Sequence, residues 1–385
     1  MAPFRTALLC LLLSLSASVS AQPLKVFFAG FAFVGNAADI KASFPFSNKL
    51  LQEKGPDRPL LEAELSRRLG GVKNASFELM TDRLGVRRTG ESVALAYALE
   101  WENVSVEKLG DINKVVVDVH AQILVFDFEE KKVISVHPVA VQIRDAVRGE
   151  VTEARKLALV RDIYYGPGQT NILDQFAQQL AALSLKQSFG HHLRVANVVL
   201  DDGARATVVS GGSDPAVFAR FVGQSFSRFL SQNMRVSVLP YATGQAIGGK
   251  MPASFANGDS YILQIPDADY VVNLRISGFK KVLVQETASE KIWAYASYAM
   301  VTLEQPELAK RYLDSQFKFG VVKRVPLSVL QTDDWTAYQE SLFTLFDQVT
   351  QQLAKPSADW TKKWADGAAT TTRLAEASKV IERCR

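Results

Sequence analysis

Two segments of the chain place hydrophobic residues at helical spacing in nearly the same sequence. Residues 173–181 read LDQFAQQLA and residues 346–354 read FDQVTQQLA, and six of the nine positions are identical. Apolar residues at this spacing line one face of a helix, so we expect two amphipathic helices. Each segment ends a run of strand-like segments. We therefore predict that one folding unit occurs twice, with Phe176 and Val349 in equivalent buried positions.

The first unit begins with an apolar run over residues 24–33, which predicts a strand buried on both faces. A helix follows Asp57, carries leucines at helical spacing and ends at Gly70. The period then changes to two, which is typical of strands. The predicted strands cover residues 75–80, 92–106, 114–128 and 133–143.

The predicted strand over residues 114–128 has two different faces. Alternation puts Val115, Val117, Val119 and Ala121 on one face and Val116, Asp118, His120 and Gln122 on the other. We expect the first face to pack in a core and the second, half-polar face to meet solvent.

The second unit repeats this order. Asp214 and Pro215 predict the start of a helix with a wide apolar stripe that includes Phe221 and Phe226. Its predicted strands cover residues 193–200, 235–239, 270–284, 291–303 and 313–322. A closing helix then places Phe346 and Leu353 on its apolar face.

These elements predict an α+β fold of two similar domains in tandem. Each domain is expected to be a largely antiparallel twisted sheet with helices packed on one face. The predicted divisions are a signal peptide (1–21), a first repeat domain (22–190), a second repeat domain (191–356) and a C-terminal helical tail (357–385) that frays at its end.

The first 21 residues are typical of a cleavable secretory signal. Arg5 precedes an apolar run over residues 7–15, and small residues end at Ala21. We therefore expect a periplasmic protein without a transmembrane segment in its mature chain. Cys384 is then the only cysteine left. It is either an unpaired thiol on the tail or the link in a disulfide-bonded dimer.

The formal net charge of +4 is too small to indicate nucleic acid as a partner. A length of 385 residues agrees with two domains. Composition therefore adds little to the pattern, beyond excluding a disordered or strongly basic protein.

Three features resemble the small α/β domains of the bacterial cell envelope. They are DADYVVNL at residues 267–274, EKIW at residues 290–293 and the two closing helices. Similar domains are the amino-terminal domain of the Tol translocation protein, curli secretion lipoproteins, penicillin-binding-protein activators and auxiliary lipoproteins of ABC transporters. The resemblance implies a location in the cell envelope and a general kind of role there, without a mechanism. This chain lacks the cysteine that such lipoproteins modify, and no functional residue carries over.

A near match to the phosphate-binding loop lies at residues 244–250, which read GQAIGGK. Met251 stands where a hydroxyl would hold magnesium, and Pro252 interrupts the following helix. We expect this segment to bind no nucleotide.

Other candidate chemistry is sparse. Asp118 and His120 share a strand face, so they are candidates for a catalytic dyad, but no nucleophile on a sharp turn accompanies them. No metal-ligand spacing occurs, and we expect no cofactor and no catalytic residue. Aromatic residues of the second unit either pack its core or line a cleft for an apolar ligand: Trp293, Tyr295, Trp335, Tyr338, Phe317 and Phe319.

The Gly-rich segment over residues 242–259 is expected to be a surface loop. If it is used in recognition, Ile247, Met251 and Phe255 are its apolar anchors for a protein partner. The favoured function is a non-enzymatic periplasmic scaffold or accessory subunit of an envelope assembly or transport system. The alternatives are a carrier or chaperone for lipid or another apolar ligand, and a hydrolase.

Overall fold

The structure is a computed structural model of the chain. It describes residues 24–35, 37–55, 59–81, 93–109, 111–185, 191–241, 250–255, 259–327, 333–367 and 369–384.

Strands and helices of the first half follow in the order predicted, with additional helices. They are β1 (Leu24–Val34), α1 (Ile40–Ser43), α2 (Pro45–Leu51), α3 (Leu60–Leu69), β2 (Phe77–Met80), β3 (Val93–Leu109), β4 (Ile112–Asp127), β5 (Lys132–Arg148), α4 (Glu153–Tyr165) and α5 (Ile172–Ala182).

The second half continues with seven strands and five helices in its described part. They are β6 (Leu193–Leu200), α6 (Asp202–Ser210), α7 (Pro215–Met234), β7 (Val238–Leu239), β8 (Lys250–Phe255), β9 (Ser260–Gln264), β10 (Tyr270–Glu286), β11 (Glu290–Gln305), β12 (Lys310–Pro326), α8 (Asp334–Ala354), α9 (Ala358–Trp364) and α10 (Thr370–Ile381).

Both halves build the same sheet. In the first, the order is β2-β1-β3-β4-β5; in the second it is β7-β6-β10-β11-β12. The first two pairings are parallel in each sheet, and the last two are antiparallel. This confirms the α+β class with two similar mixed sheets, each packed with helices.

The closing helices bury the residues that the repeat predicted. Phe176 on α5 is fully buried in the first core, and Val349 on α8 is fully buried in the second. Val115, Val117 and Val119 of β4 face the same core as Phe176. The apolar faces of the two amphipathic helices therefore supply matching layers over two sheets.

The first sheet is completed by a hairpin from the second half. β8 pairs antiparallel with the end of β1, with Ala32 opposite Phe255, and also with β9. β9 in turn meets β5 at Lys132 and Gln264. The strands β1, β3, β4, β5, β9 and β8 thus close on themselves as a small barrel.

The described part of segment 242–259 is therefore core structure, so the expectation of a surface loop is wrong there. Met251 and Phe255 are only 3% and 6% exposed. They pack inside the barrel with Leu124, Phe126 and a set of alanines whose small side chains make room for them: Ala32, Ala94, Ala96 and Ala98. Ile247 lies outside the described residues.

The division of the chain at residue 190 stays a prediction, but the sheets do not follow it strictly. β8 and β9 lie within residues 191–356 and belong to the first sheet. A cut at this boundary would remove two strands from the barrel.

The C-terminal tail is packed, in contrast to the fraying end that its polar sequence suggested. Leu374 and Ile381 of α10 are fully buried in the second core, and Ala365 bridges Phe317 of β12. Cys384 is 1% exposed, and burial raises the pKa of its thiol to about 12. A buried, protonated thiol cannot reach a second chain, so a disulfide-linked dimer through Cys384 is not supported.

The helices in the described part of the chain include none with the length and apolar character needed to cross a membrane.

Phe346→Ala should strongly destabilise the second half. Phe346 is fully buried and contacts Phe226 edge-to-face, with ring centroids 5.3 Å apart. Emptying such a site costs about 3–5 kcal/mol. Gln351→Ala on the exposed side of the same helix should cost less than about 0.5 kcal/mol. Urea unfolding measures both, and equal small losses would show that Phe346 does not support the core.

Candidate functional site

The near phosphate-binding loop gives no site in the described part of the chain. Residues 244–249 lie outside it, and Lys250 begins strand β8. The absence of nucleotide binding stays a prediction.

Asp118 and His120 do not form the dyad that their spacing allowed. Asp118 Oδ1 accepts a hydrogen bond of 2.7 Å from Gln142 Nε2, and no hydrogen bond joins Asp118 to His120 within the described residues. The His120 ring instead stacks on Phe221, with centroids 5.9 Å apart. Burial lowers the pKa of His120 well below its usual value, which leaves the imidazole neutral.

Helix α7 covers part of the polar face of β4. Val116 and Asp118 stay partly exposed, but the expectation of a solvated face is wrong for His120 and Gln122. Phe221 of α7 stacks on Trp101 of β3 at 4.7 Å and contacts Phe343 of α8 at 4.9 Å. His120 and Gln122 are buried beneath this contact. One helix therefore packs against its own sheet and against the other half's sheet.

A β-bulge aims an acidic residue into this contact. The register of β3 and β4 shifts between Leu99 and Trp101, which makes Glu100 the extra residue of the bulge. Burial raises the pKa of the Glu100 carboxyl to about 7, although hydrogen bonding to Gln224 and the charge of Arg228 act in the opposite direction.

Arg228 of α7 supplies the positive charge of the contact. Burial lowers the pKa of its guanidinium, and the carboxylates of Asp118, Asp347 and Glu100 oppose that lowering. The adjoining cavity, lined by Glu100, Gln224 and Arg228 among others, holds only about 10 Å³. That volume is about one water molecule. This polar cluster therefore joins the two halves and has no room for a substrate.

The aromatic residues of the second half mostly pack against one another. Trp335 contacts Phe218 at 4.9 Å and Phe279 at 5.9 Å between ring centroids. Phe319 contacts Trp364 of the tail at 4.8 Å. These contacts favour core packing over the apolar-ligand cleft that was the alternative.

Strands β10, β11 and β12 extend beyond the helix that covers them. Asp334, at the start of α8, accepts hydrogen bonds from Lys281 Nζ at 2.7 Å and from Tyr295 Oη at 2.6 Å. Lys281 Nζ also lies 4.4 Å from the centroid of the Trp293 ring. These contacts fix the point at which the three strands leave the helix.

Past this point the strands form an arm, defined as residues 282–294 and 322–327. Five of its large apolar side chains are exposed, among them Val284 at 60% and Val322 at 61%. Val282, Leu283 and Leu327 are exposed as well. Exposed apolar side chains gathered in one place are typical of an interaction surface.

The outer edge of β12 is half covered. The tail lies along its first part, where Asp366 N donates to Gln316 O at 2.9 Å. From Lys318 to Pro326 no strand of the described chain pairs with this edge. The arm therefore presents both apolar side chains and unpaired main-chain groups.

No protein-family model matches the chain, and no curated protein sequence matches it. Among solved structures, a minor lipoprotein from Acinetobacter baumannii is similar, with 14% identity, 41% of this chain and 88% of that chain covered, and a TM-score of 0.20. For a putative neuraminyllactose-binding hemagglutinin homolog from Helicobacter pylori these values are 12%, 50%, 92% and 0.25.

A hypothetical protein from Chlamydia trachomatis is 9% identical over 42% of this chain and 94% of that chain, with a TM-score of 0.23. These are weak, fold-level similarities, in keeping with the loose resemblance noted in the sequence. No functional residue is transferred from them.

The bulged Glu100 should make stability depend on pH. Its folded pKa lies above the usual value of 4.5, so the folded state holds this proton more tightly than the unfolded state. Stability is then lost as pH rises from about 4.5 to about 7. Glu100→Gln removes this loss. The free energy of unfolding of the variant should therefore rise relative to that of the native protein between about pH 4.5 and about pH 7, and should exceed it by a constant amount at higher pH.

Urea unfolding at a series of pH values measures the gap between the two proteins. The buried His120 and His137 have lowered pKa values and favour the fold as pH rises, but they are present in both proteins and cancel in the difference. A gap that does not change with pH would contradict the burial of Glu100.

Proposed function

We propose that this protein is an exported, non-enzymatic accessory subunit of a cell-envelope assembly that binds a protein partner through the arm. The observation that carries the proposal is the exposure of the arm's apolar side chains beyond the helix that covers the rest of the sheet. The signal-like segment over residues 1–21 supports export to the periplasm.

The arm has the composition of a reversible protein–protein interface. Val284 and Val322 offer apolar area, and the arm also carries the ion pairs Lys291–Glu286 and Arg324–Glu290. An apolar centre with a charged rim is the usual anatomy of a protein–protein contact.

Neither alternative function gains similar support. A carrier needs an apolar cavity, whereas the aromatic residues of the second half fill their own core. A hydrolase needs an assembled reaction centre, whereas Asp118 binds Gln142 and His120 lies beneath Phe221. The earlier candidates Met251 and Phe255 are already buried within the chain, so the arm replaces them as the contact surface.

A photo-crosslinking amino acid at position 284 should join the protein to one discrete protein partner in cells of the native host. Val322→Glu puts a charge on the same arm, two strands away from that site, and should abolish the product because a buried carboxylate at an apolar contact is costly. Gel analysis of the crosslinked species, followed by mass spectrometry, measures both results.

Matched controls use Leu308 and Ile262, which are exposed at 65% and 59% and lie outside the arm. A crosslinker at position 308 should give no discrete product, and Ile262→Glu should leave the position-284 product intact. Crosslinking to lipid alone, or equal products from positions 284 and 308, would overturn the proposed function.

A further inference from the structure

A second surface feature, separate from the arm, is a cleft of about 510 Å³ at the junction of the two halves. Helix α5 forms one wall, the end of α7 contributes Gln232, and Pro138 and Val139 of β5 form an apolar floor. The volume lies in the range of small-ligand sites.

Glutamines dominate the lining. Three come from one face of α5 and two from outside it: Gln175, Gln178, Gln179, Gln169 and Gln232. Gln175 Nε2 donates to Gln169 O at 2.6 Å, which orients that amide and leaves its oxygen available. Each glutamine amide offers two donor hydrogens and an acceptor oxygen.

The cleft has little uncompensated charge. Asp174 is its only acidic lining residue in the described chain, and Arg68 forms an ion pair with it. A lining of this kind suits a neutral ligand that carries hydrogen-bond donors and acceptors of its own.

The duplication provides an internal comparison. The pattern D-Q-x-x-Q-Q occurs at residues 174–179 and again at 347–352. In the second copy Gln351 Nε2 donates to Asp347 Oδ2 at 2.9 Å, and Gln352 Oε1 accepts from Ser357 N at 2.8 Å. In the first copy Gln178 and Gln179 make no hydrogen bond to any described residue. The same side chains therefore serve local structure in one half and face an open cleft in the other.

We propose that this cleft binds a short, uncharged, extended peptide segment of a protein partner, with its main-chain amides bonded to the glutamines. An extended chain turns equivalent amides to one side every two residues, about 6.6–6.8 Å apart. Gln175 and Gln179 are four positions apart on α5, a separation of about 6 Å on a helix surface. Pro138 and Val139 then receive an apolar side chain.

A peptide fits better than a glycan because none of the lining residues in the described chain is aromatic. A sugar ring is usually held against such a flat apolar surface, as aromatic side chains provide. The inference rests on the proposed function in one respect, since it takes the occupant to be part of a protein.

The test is a screen of uncharged octapeptides against the full mature chain, with titration calorimetry on the peptides selected. We expect Gln178→Ala combined with Gln179→Ala to weaken their binding about tenfold or more, because two amide contacts are lost. The matched control, Gln351→Ala with Gln352→Ala in the second copy, should stay within about twofold of the native affinity.

The arm variant Val322→Glu should keep native peptide affinity, which separates this inference from the proposed function. If no uncharged peptide binds, if the cleft variant binds as well as the control, or if neutral oligosaccharides bind in place of peptides, the inference is wrong. The partner crosslinked at position 284 would be unaffected by any of these three results.

Discussion

The pairing of β8 with the end of β1 is the constraint on which the rest of the structure depends. The short strand β2 reaches only Phe27 of β1, so the main-chain groups of residues 32–34 need another partner on that side. Buried main-chain groups without hydrogen bonds are costly. β8 satisfies them, and its position brings Met251 and Phe255 into the barrel. The first half therefore needs a strand pair that the chain supplies only after the second half has begun.

Helix α7 ties the halves together a second time, with consequences for function. Phe221 and Arg228 of this helix lie over the part of the polar face of β4 that holds His120 and Gln122. This part of the face joins the two halves. Two accessible features of the described chain are the arm beyond α8 and the cleft beside α5. These are the surfaces that we propose for contact with partners.

The sequence predicted those parts of the fold that are determined by residues close together in the chain. Period-two patterns located β3, β4 and β5 within a few residues, and the repeated helix indicated the duplication. The hairpin β8–β9 was missed because glycines around it suggest a loop, whereas its stabilising partner β1 is more than 200 positions away. Helix α4 was missed because charged residues interrupt its apolar spacing.

The candidate site was harder to predict for the same reason. The stripe on α7 is wider than one sheet requires, with Phe221 beside the core residues Phe218 and Phe226, and that width was the available sign of a second contact. The exposure of Val284 depends on where α8 begins relative to three long strands. The distance between the start of α8 and the ends of these strands cannot be predicted from any local sequence pattern. The open cleft likewise depends on how the two halves meet.

The central claim is that the two copies form one cooperative unit and do not behave as independent domains. Native-state amide hydrogen exchange at low urea concentrations tests it most directly, by comparing β3 in the first sheet with β11 in the second. If the hairpin and α7 join the halves, the most protected amides of both strands should exchange through the same opening, with equal free energy and equal urea dependence. Two different free energies, each with the smaller urea dependence of half the chain, would contradict the claim.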